Sequence, residues 1–212
     1  MSAPSAPRTV VVRGALVHVT RSRSVRGDVV ATDGVLTHVG PDGPRPPDAL
    51  VLDGSGATVV PILVEGAIRA RGSDTGSWLT PRSPATFAVV RGAVAASRVG
   101  EMLMVNPQDL LAVVLEDQVV VWDGSTADLH DPGPDWVGAW TDPSRGMTQH
   151  LSADGRYSET RGGRRDAYTG CFWAHRDWVA YLDDTGFWAF GQRADDVLHH
   201  ARFVLRRVPP RA

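Results

Sequence analysis

The chain has 212 residues, of which 42% are hydrophobic and 22% are charged, and its net charge is −2. These values are typical of a soluble globular protein with one large domain or two small ones. No run of like charges points to nucleic acid or to an anionic membrane, so we predict neither as a partner. No stretch is long enough to span a membrane, and the N-terminus lacks the apolar core of a signal peptide. We therefore expect a cytoplasmic protein.

The use of particular side chains limits the possible chemistry. Cys171 is the only cysteine, which excludes an intrachain disulfide and a cysteine-rich zinc site. All 22 basic residues are arginine. The lack of lysine excludes Schiff-base catalysis, a phosphate-loop lysine and a carbamylated-lysine metal bridge. The sequence predicts no cofactor.

The N-terminal part has the pattern of β-strands. A tail at residues 1–8 is expected to be disordered, and valine-rich segments then alternate with turns that contain glycine. The predicted strands are residues 9–12, 15–19, 27–31, 35–40 and 49–53. Short strands at regular spacing favour a β-sandwich over an α/β fold. The sandwich domain is predicted to span residues 9–125.

This domain carries motifs of a known superfamily: Asp33-Gly34, Leu52-Asp53-Gly54-Ser55-Gly56 and Val59-Val60-Pro61. With them it resembles the composite β-sandwich of amidohydrolase-superfamily enzymes. The resemblance implies two metal-ligand histidines after Pro61, but Ala67 and Arg69 stand in their places. About 30 residues separate the two halves of the sandwich, too few for a catalytic β/α barrel of about 250 residues. We therefore expect a module without metal or amidohydrolase activity, which acts as a support or as a homodimer surface.

A second domain is predicted over residues 135–208, after a polar, proline-rich linker at 126–134. Turn signals recur every eight to twelve residues there, as in antiparallel β-structure. The predicted strands are residues 138–141, 147–152, 156–160, 167–174, 178–183, 187–192 and 197–207. Seven or eight strands in about 75 residues suit a small closed barrel with room for one small ligand. The predicted fold class is mainly β, a sandwich followed by a barrel.

The triplet Gly138-Ala139-Trp140 is similar to the start of lipocalin-like and streptavidin-like barrels, which belong to the calycin class. In such barrels the tryptophan closes one end beneath an arginine of the last strand, here Arg206 or Arg207. The domain also resembles a family of small bacterial barrel proteins without an assigned function. That resemblance rests on motifs such as Asp154-Gly155-Arg156-Tyr157, Ala167-Tyr168-x-Gly170 and Tyr181-x-Asp183-Asp184-Thr185-Gly186-Phe187. It implies a barrel and a small ligand, and no particular reaction.

Two adjacent aspartates and two adjacent histidines are the candidate catalytic residues: Asp183, Asp184, His199 and His200. One aspartate can act as an acid or base while the other serves the turn at Thr185-Gly186, and the alternative that both are structural stays open. If residues 197–207 form one strand, alternation puts His199 inside the barrel on the same face as the apolar Phe203 and Leu205, and His200 outside. The family resemblance, by contrast, includes His200 and not His199 among its motif residues. Either histidine near Asp183 forms an acid–base pair suited to neutral pH. The turns at 185–186 and 195–196 are expected to meet at the same mouth.

Aromatic walls with a few polar groups are typical of a small-molecule pocket. The candidate ligand-binding residues are Tyr157, Glu159, Tyr168, Trp173, Tyr181 and Trp188. The same rings also fit an ordinary barrel core. Glu159 and Arg161 lie two residues apart, on one face of a strand, and a surface ion pair is expected there. Cys171 is expected in the core.

Two functions from different classes fit these features. The first is a metal-independent cyclase, isomerase or dehydratase-type lyase of bacterial specialised metabolism, which holds its substrate in the barrel. The second is a non-catalytic protein that binds a small-molecule ligand, with the sandwich as an oligomerisation or support module. Biosynthetic genes beside its own gene would favour the enzyme.

Overall fold

The computed structural model of the protein describes residues 9–72, 78–99, 106, 108–121 and 132–209. These residues are mainly β-structure and divide into two units. The first unit contains residues 9–62, 78–99 and 109–121. The second contains the barrel and residues 63–72, which the sequence analysis placed in the first domain. Among the described residues, no helix has the length and hydropathy needed to cross a membrane.

The first unit is built from valine-rich strands. They are β1 (Thr9–Thr20), β2 (Arg23–Thr32), β3 (Val35–Gly40), β4 (Leu50–Asp53), β5 (Ala57–Pro61), β6 (Thr86–Arg91), β7 (Leu110–Leu115) and β8 (Gln118–Val121). They form one mixed sheet in the order β3-β2-β1-β5-β6-β7-β8, and β4 pairs with β1. Alternate apolar side chains of these strands pack into one buried cluster. Strands at short intervals are confirmed here, and they join in a single mixed sheet.

Strand β1 shows why this sheet is mixed. The sequence predicts two strands with a break near Gly14, but the chain continues as one strand with a bulge between Val12 and Ala15. Gly14 has a φ of 65°, which glycine adopts without strain. The bulge divides the edge of β1, so its first half pairs in parallel with β4 and its second half with β5.

One helix, α1 (Glu65–Arg71), follows β5 and packs against the barrel. Ala67 is fully buried on it, while Arg69 is exposed and pairs with Glu65 at 3.1 Å. The two positions that correspond to metal-ligand histidines in the amidohydrolase resemblance are therefore a packing residue and a surface residue of α1. Gly66 lies against His199 of the barrel so closely that a Cβ atom would stand 2.7 Å from the Nδ1 atom.

The barrel consists of eight antiparallel strands closed into a ring. They are β9 (Gly138–Asp142), β10 (Met147–Leu151), β11 (Arg156–Arg161), β12 (Arg164–His175), β13 (Trp178–Asp183), β14 (Trp188–Ala194), β15 (Val197–His200) and β16 (Phe203–Arg207). The predicted closed barrel is confirmed. The prediction of one strand over 197–207 is wrong, because a two-residue turn with Ala201 at φ 52° divides it into β15 and β16.

Because each strand reverses the last, successive hairpins lie at alternate ends of the barrel. The turns at 143–146, 162–163, 184–187 and 201–202 lie at what we call the mouth end. The turns at 152–155, 176–177 and 195–196 lie at the opposite end, called the plug end. The expectation that turns 185–186 and 195–196 meet is therefore wrong, because β14 spans the barrel between them.

Two tryptophans fill the plug end. Trp140 donates its indole N–H to the carbonyl of Trp136 at 3.0 Å, and both rings are buried. The guanidinium of Arg193 lies 4.4 Å from the Trp136 ring centroid. Arg207 pairs with Trp140 in the sheet register but donates to the carbonyls of Pro134 and Val137. The cation–π pair at this end is Arg193 with Trp136, in place of the predicted pair of Trp140 with Arg206 or Arg207.

Candidate functional site

The candidate site is a group of polar side chains inside the barrel. Strand alternation points Tyr157, Glu159 and Arg161 of β11 inwards, and register places Gln149 of β10 opposite Glu159. Tyr181 of β13 packs with the interior apolar cluster. Glu159 is 2% exposed, Gln149 0% and Tyr181 1%. A carboxylate, an amide and a phenol are thus buried together.

These groups form a continuous chain of hydrogen bonds. The Tyr181 hydroxyl donates to Gln149 Oε1 at 3.0 Å, and Gln149 Nε2 donates to Glu159 Oε1 at 3.0 Å. The other carboxylate oxygen of Glu159 accepts a hydrogen bond from Arg161 Nε at 2.7 Å, and Arg161 Nη2 lies at the same distance from it as an ion pair. The chain satisfies buried groups that would otherwise each cost about 1–3 kcal/mol. The expected surface ion pair of Glu159 and Arg161 exists, but its carboxylate is buried.

His200 completes the group and is 3% exposed. Its Nδ1 lies 3.2 Å from the carbonyl oxygen of Phe190, which can only accept, so Nδ1 carries the hydrogen. Its Nε2 lies 3.7 Å from Glu159 Oε1, and its ring centroid lies 4.8 Å from that of Tyr181. Burial lowers the pKa of His200, against a smaller opposing effect of Glu159. The neutral ring therefore turns an unprotonated nitrogen towards the carboxylate.

The two tyrosines next to the carboxylate are held in their neutral form. Burial raises the pKa of Tyr181 well above its usual value, and the charge of Glu159 raises it further. Burial likewise raises the pKa of Tyr157, whose ring meets that of Tyr181 edge-on at 5.1 Å between centroids. Both phenols thus act only as neutral hydrogen-bonding groups at ordinary pH.

Arg161 covers this group of side chains at the mouth end. Its side chain is 38% exposed, and its guanidinium carbon lies 4.5 Å from the Tyr168 ring centroid and 5.2 Å from that of Phe203. Tyr168 is on the neighbouring strand β12, whereas Phe203 begins β16, three strands round the ring in the other direction. Arg161 therefore reaches across the mouth, directly above the carboxylate of Glu159.

The two candidate aspartates are not part of this hydrogen-bonded chain, although their charges help to raise the pKa of Tyr157 after burial. Asp183 Oδ1 accepts from the backbone N–H groups of Thr185 and Phe187 and from the Thr185 hydroxyl. It therefore holds the turn between β13 and β14. Asp184 is half exposed and accepts two hydrogen bonds from Arg156, at 3.0 and 2.7 Å. That pairing lowers the pKa of Asp184.

Three further candidates lie on the outer face of the barrel strands, and all are buried. Trp173 and Trp188 stack there with ring centroids 5.2 Å apart. His199 faces α1, and its Nδ1 is buried without a hydrogen-bond partner among the described residues. Burial, with a smaller contribution from the charge of Arg71, lowers the pKa of His199. The parity prediction that His199 lies inside and His200 outside is wrong, because the turn at Ala201 separates their strand from β16.

The structure thus brings together Tyr157, Glu159, Tyr181 and His200, with Tyr168 at the mouth above them. Sequence reasoning missed Gln149 and gave Arg161 only a surface role. The alternation Met147, Gln149, Leu151 is the signal that could have found Gln149, since it places an amide between two apolar residues on one face. Among the described residues, no group of three or more His, Cys, Asp or Glu side chains is arranged to hold a metal ion.

The fold and its interior define a class of protein, a small closed antiparallel barrel with a chain of polar groups in its lumen. Residues 134–207 match the family model described as Agrobacterium tumefaciens protein Atu4866. The solution structure of protein Atu4866 from Agrobacterium tumefaciens is 36% identical to this chain over 35% of this chain and 95% of that chain, with a TM-score of 0.32. By this identity and the family model, the chain belongs to the Atu4866 family through its barrel. The comparison with curated proteins found no match.

Proposed function

We propose that the protein binds a small molecule at the mouth end of its barrel. The observation that carries the proposal is the buried chain Tyr181–Gln149–Glu159–Arg161 with His200 beside it. A barrel that needs only to be filled is best filled with apolar side chains, because burying polar groups costs free energy unless each is paired. A few placed polar groups among aromatic rings give a small-molecule site its specificity.

The proposed ligand contacts Arg161 and Tyr168 first, since both are partly exposed at the mouth. Glu159, His200, Tyr181 and Tyr157 lie beneath them, and a ligand reaches them when the Arg161 side chain swings aside. This opening breaks the pairing of Arg161 with Glu159 but moves one side chain only, so it does not require the barrel to unfold.

A chemical-shift screen of a small-metabolite library against the ¹⁵N-labelled protein tests this proposal. We expect ligands that shift the amide signals of β11, the start of β12 and the 201–202 turn. His200→Gln should weaken these ligands at least tenfold, about 1.4 kcal/mol. Asp184→Asn, which removes an exposed charge outside the lumen, is the matched control and should leave the affinity unchanged. A library without one ligand at the mouth contradicts the proposal.

A second candidate function is acid–base catalysis by a metal-independent cyclase, isomerase or lyase. The specific observation in its favour is His200, whose neutral Nε2 stands 3.7 Å from Glu159 with Nδ1 held by a backbone carbonyl. Such a nitrogen is suited to abstract a proton near neutral pH. Exchange of an acidic C–H of a bound ligand for deuterium in D₂O should then be faster with the wild type than with His200→Gln. Ligands that bind without any such exchange favour the non-catalytic alternative.

The structural class of each domain is also part of this proposal. The barrel is proposed to be of the calycin class, similar to lipocalin-like and streptavidin-like barrels. The mixed sheet is proposed as a degenerate amidohydrolase-like module that supports the barrel or joins two copies of the chain. Leu50 and Val51, which are exposed on β4, favour a contact between copies. Light scattering that gives the monomer mass for both the wild type and Val51→Asp would contradict the dimer.

A further inference from the structure

We propose that the ligand of the mouth end is a small organic anion, in which a carboxylate or phosphate group is joined to a flat ring. This inference rests on the proposed function, since it names the chemistry of the ligand for the same site. The exposed arginines at the mouth end of the barrel are the first observation that supports it.

The mouth end is rich in arginine. The arginines on or beside its turns are Arg145, Arg161, Arg164, Arg165 and Arg202, of which all but Arg161 are exposed. Neighbouring groups already engage most of the carboxylates there. Asp142 and Asp183 accept hydrogen bonds from backbone and hydroxyl groups, and Glu159 and Asp184 each pair with an arginine. Of the five carboxylates at this end only Asp166 and Asp184 are exposed, so exposed guanidinium groups outnumber exposed carboxylates on its surface.

The plug end carries charges of both signs, and Arg156 and Arg176 lie on or beside its turns. The aspartates on or beside its turns are Asp135, Asp154, Asp177, Asp195 and Asp196. Two arginines at this end, Arg193 and Arg207, donate to backbone carbonyls.

Arg161 is placed to receive the anionic group. Its pairing with Glu159 occupies Nε and Nη2, which leaves N–H donors on Nη1. The rings of Tyr168 and Phe203 hold the plane of the guanidinium, and a fixed plane favours paired hydrogen bonds to a carboxylate or phosphate. Tyr168 is 44% exposed, so its ring is also available to stack on a flat ligand.

Four probes with the same ring and different charge test this inference on the full-length protein: benzoate, phenyl phosphate, neutral benzamide and cationic benzamidine. We expect the two anions to shift the Arg161 Nε–H signal and the amides of Tyr168 and Phe203, with an affinity that falls as NaCl is raised. A difference between benzoate and phenyl phosphate distinguishes a carboxylate ligand from a phosphate ligand. Benzamide should bind at least tenfold more weakly than the better anion, and benzamidine should not shift these signals.

Arg161→Gln should weaken the better anion at least tenfold, whereas Arg206→Gln, an exposed arginine on the outer face of β16, should not. Because Arg161→Gln also leaves Glu159 without its cation, Arg161→Lys is the second variant. Lysine keeps a positive charge beside Glu159 but lacks the planar guanidinium group that forms paired hydrogen bonds. We expect this variant to remain folded and to bind the anion more weakly than the wild type does.

The outcomes separate the two proposals. If a mouth ligand is found and it is neutral or cationic, or if Arg161→Lys binds the anions as well as wild type does, the inference about the anion is wrong and small-molecule binding stands. If neither the four probes nor the metabolite library shifts the mouth signals, both proposals are wrong.

Discussion

Adjacent residues of the same type have different environments in this barrel. Asp183 is buried under the backbone of its turn, while Asp184 pairs with Arg156 in water. His200 faces Glu159 in the lumen, while His199 faces α1 outside it. Alternation along a strand causes both contrasts, because neighbouring side chains point to opposite faces. Each pair therefore supplies its own control for mutagenesis.

The two adjacent aspartates should contribute differently to the stability of the protein. Asp183→Ala leaves two backbone N–H groups and a hydroxyl without their charged acceptor, so we expect a loss of about 2–3 kcal/mol in the free energy of unfolding. Asp184→Ala removes an exposed ion pair and should cost less than about 1 kcal/mol. Urea denaturation of both variants measures the two values. Equal losses would contradict the assignment of Asp183 to the turn.

The histidine pair should make the protein less stable in mild acid. Burial lowers the pKa of both His199 and His200, so the folded state binds fewer protons than the unfolded chain, whose histidines have a pKa of about 6.5. The stability from the neutral rings is then complete above that value and falls as the pH drops below it. The slope is at most about 1.4 kcal/mol per pH unit for each histidine.

Urea denaturation between pH 7.5 and 5 measures this slope. The lowered pKa of Asp184 keeps its titration below the range. We expect His200→Gln to reduce the slope, and the double variant with His199→Gln to reduce it further. A free energy of unfolding that rises on acidification would be the opposite sign and would refute the argument.

Among the secondary-structure elements, the contact of α1 with the barrel depends on a single glycine. Gly66 lets the helix approach His199, because a Cβ there would come within 2.7 Å of Nδ1 and 3.3 Å of Cγ. Cγ is the fixed part of the ring, so turning the end of the side chain does not relieve the overlap. Arg71 secures the other end of α1 through Asp177 at 3.1 Å and the carbonyl of Arg193 at 2.7 Å.

Because of this contact, the effect of Gly66→Ala on the free energy of unfolding should change sign when His199 is also replaced. In the wild type, Gly66→Ala should destabilise the protein by about 1 kcal/mol or more, because the added methyl overlaps the imidazole. In a His199→Ala background the overlap is gone, and the same change should stabilise by up to about 1 kcal/mol, since alanine favours a helix. Hydrogen exchange of the α1 amides, measured with urea denaturation, reports both effects. Stabilisation in both backgrounds would show that α1 does not need the glycine.

For the whole molecule, the decisive property is closure of the barrel. Every barrel strand has a partner on both sides, so the ring presents no edge that another element must cover. The first unit is an open sheet, whose end strands each pair on one side among the described residues.

We therefore expect a fragment of residues 132–212 to fold by itself. Its amide spectrum should be dispersed, while a fragment of residues 1–121 should be less stable by urea denaturation because its sheet has edges. The barrel fragment should also be less stable than one that includes residues 63–72, because it lacks α1 and the ion pair of Arg71 with Asp177. Poorly dispersed amide signals from the fragment of residues 132–212 would contradict the domain boundary near residue 134.

Local sequence determined much of the architecture. Alternating valines and turn signals predicted most strands of both units, although 9–12 and 15–19 form one strand and 197–207 forms two, and the number of strands predicted the barrel. The turn chemistry of Asp184-Thr185-Gly186 placed a hairpin where β13 meets β14. These features are predictable because strand pattern and turn formation depend on residues close together in the chain.

Only the tertiary structure decided which side chains meet. A turn at Ala201, a residue without a strong turn signal, reversed the parity of His199 and His200. Closure of the ring brought Arg161 of β11 over Phe203 of β16 and placed the buried Glu159 beside His200. Such contacts depend on register and closure, which are set by packing between strands far apart in sequence. The sequence by itself therefore determined the elements of this protein, and long-range packing decided its site.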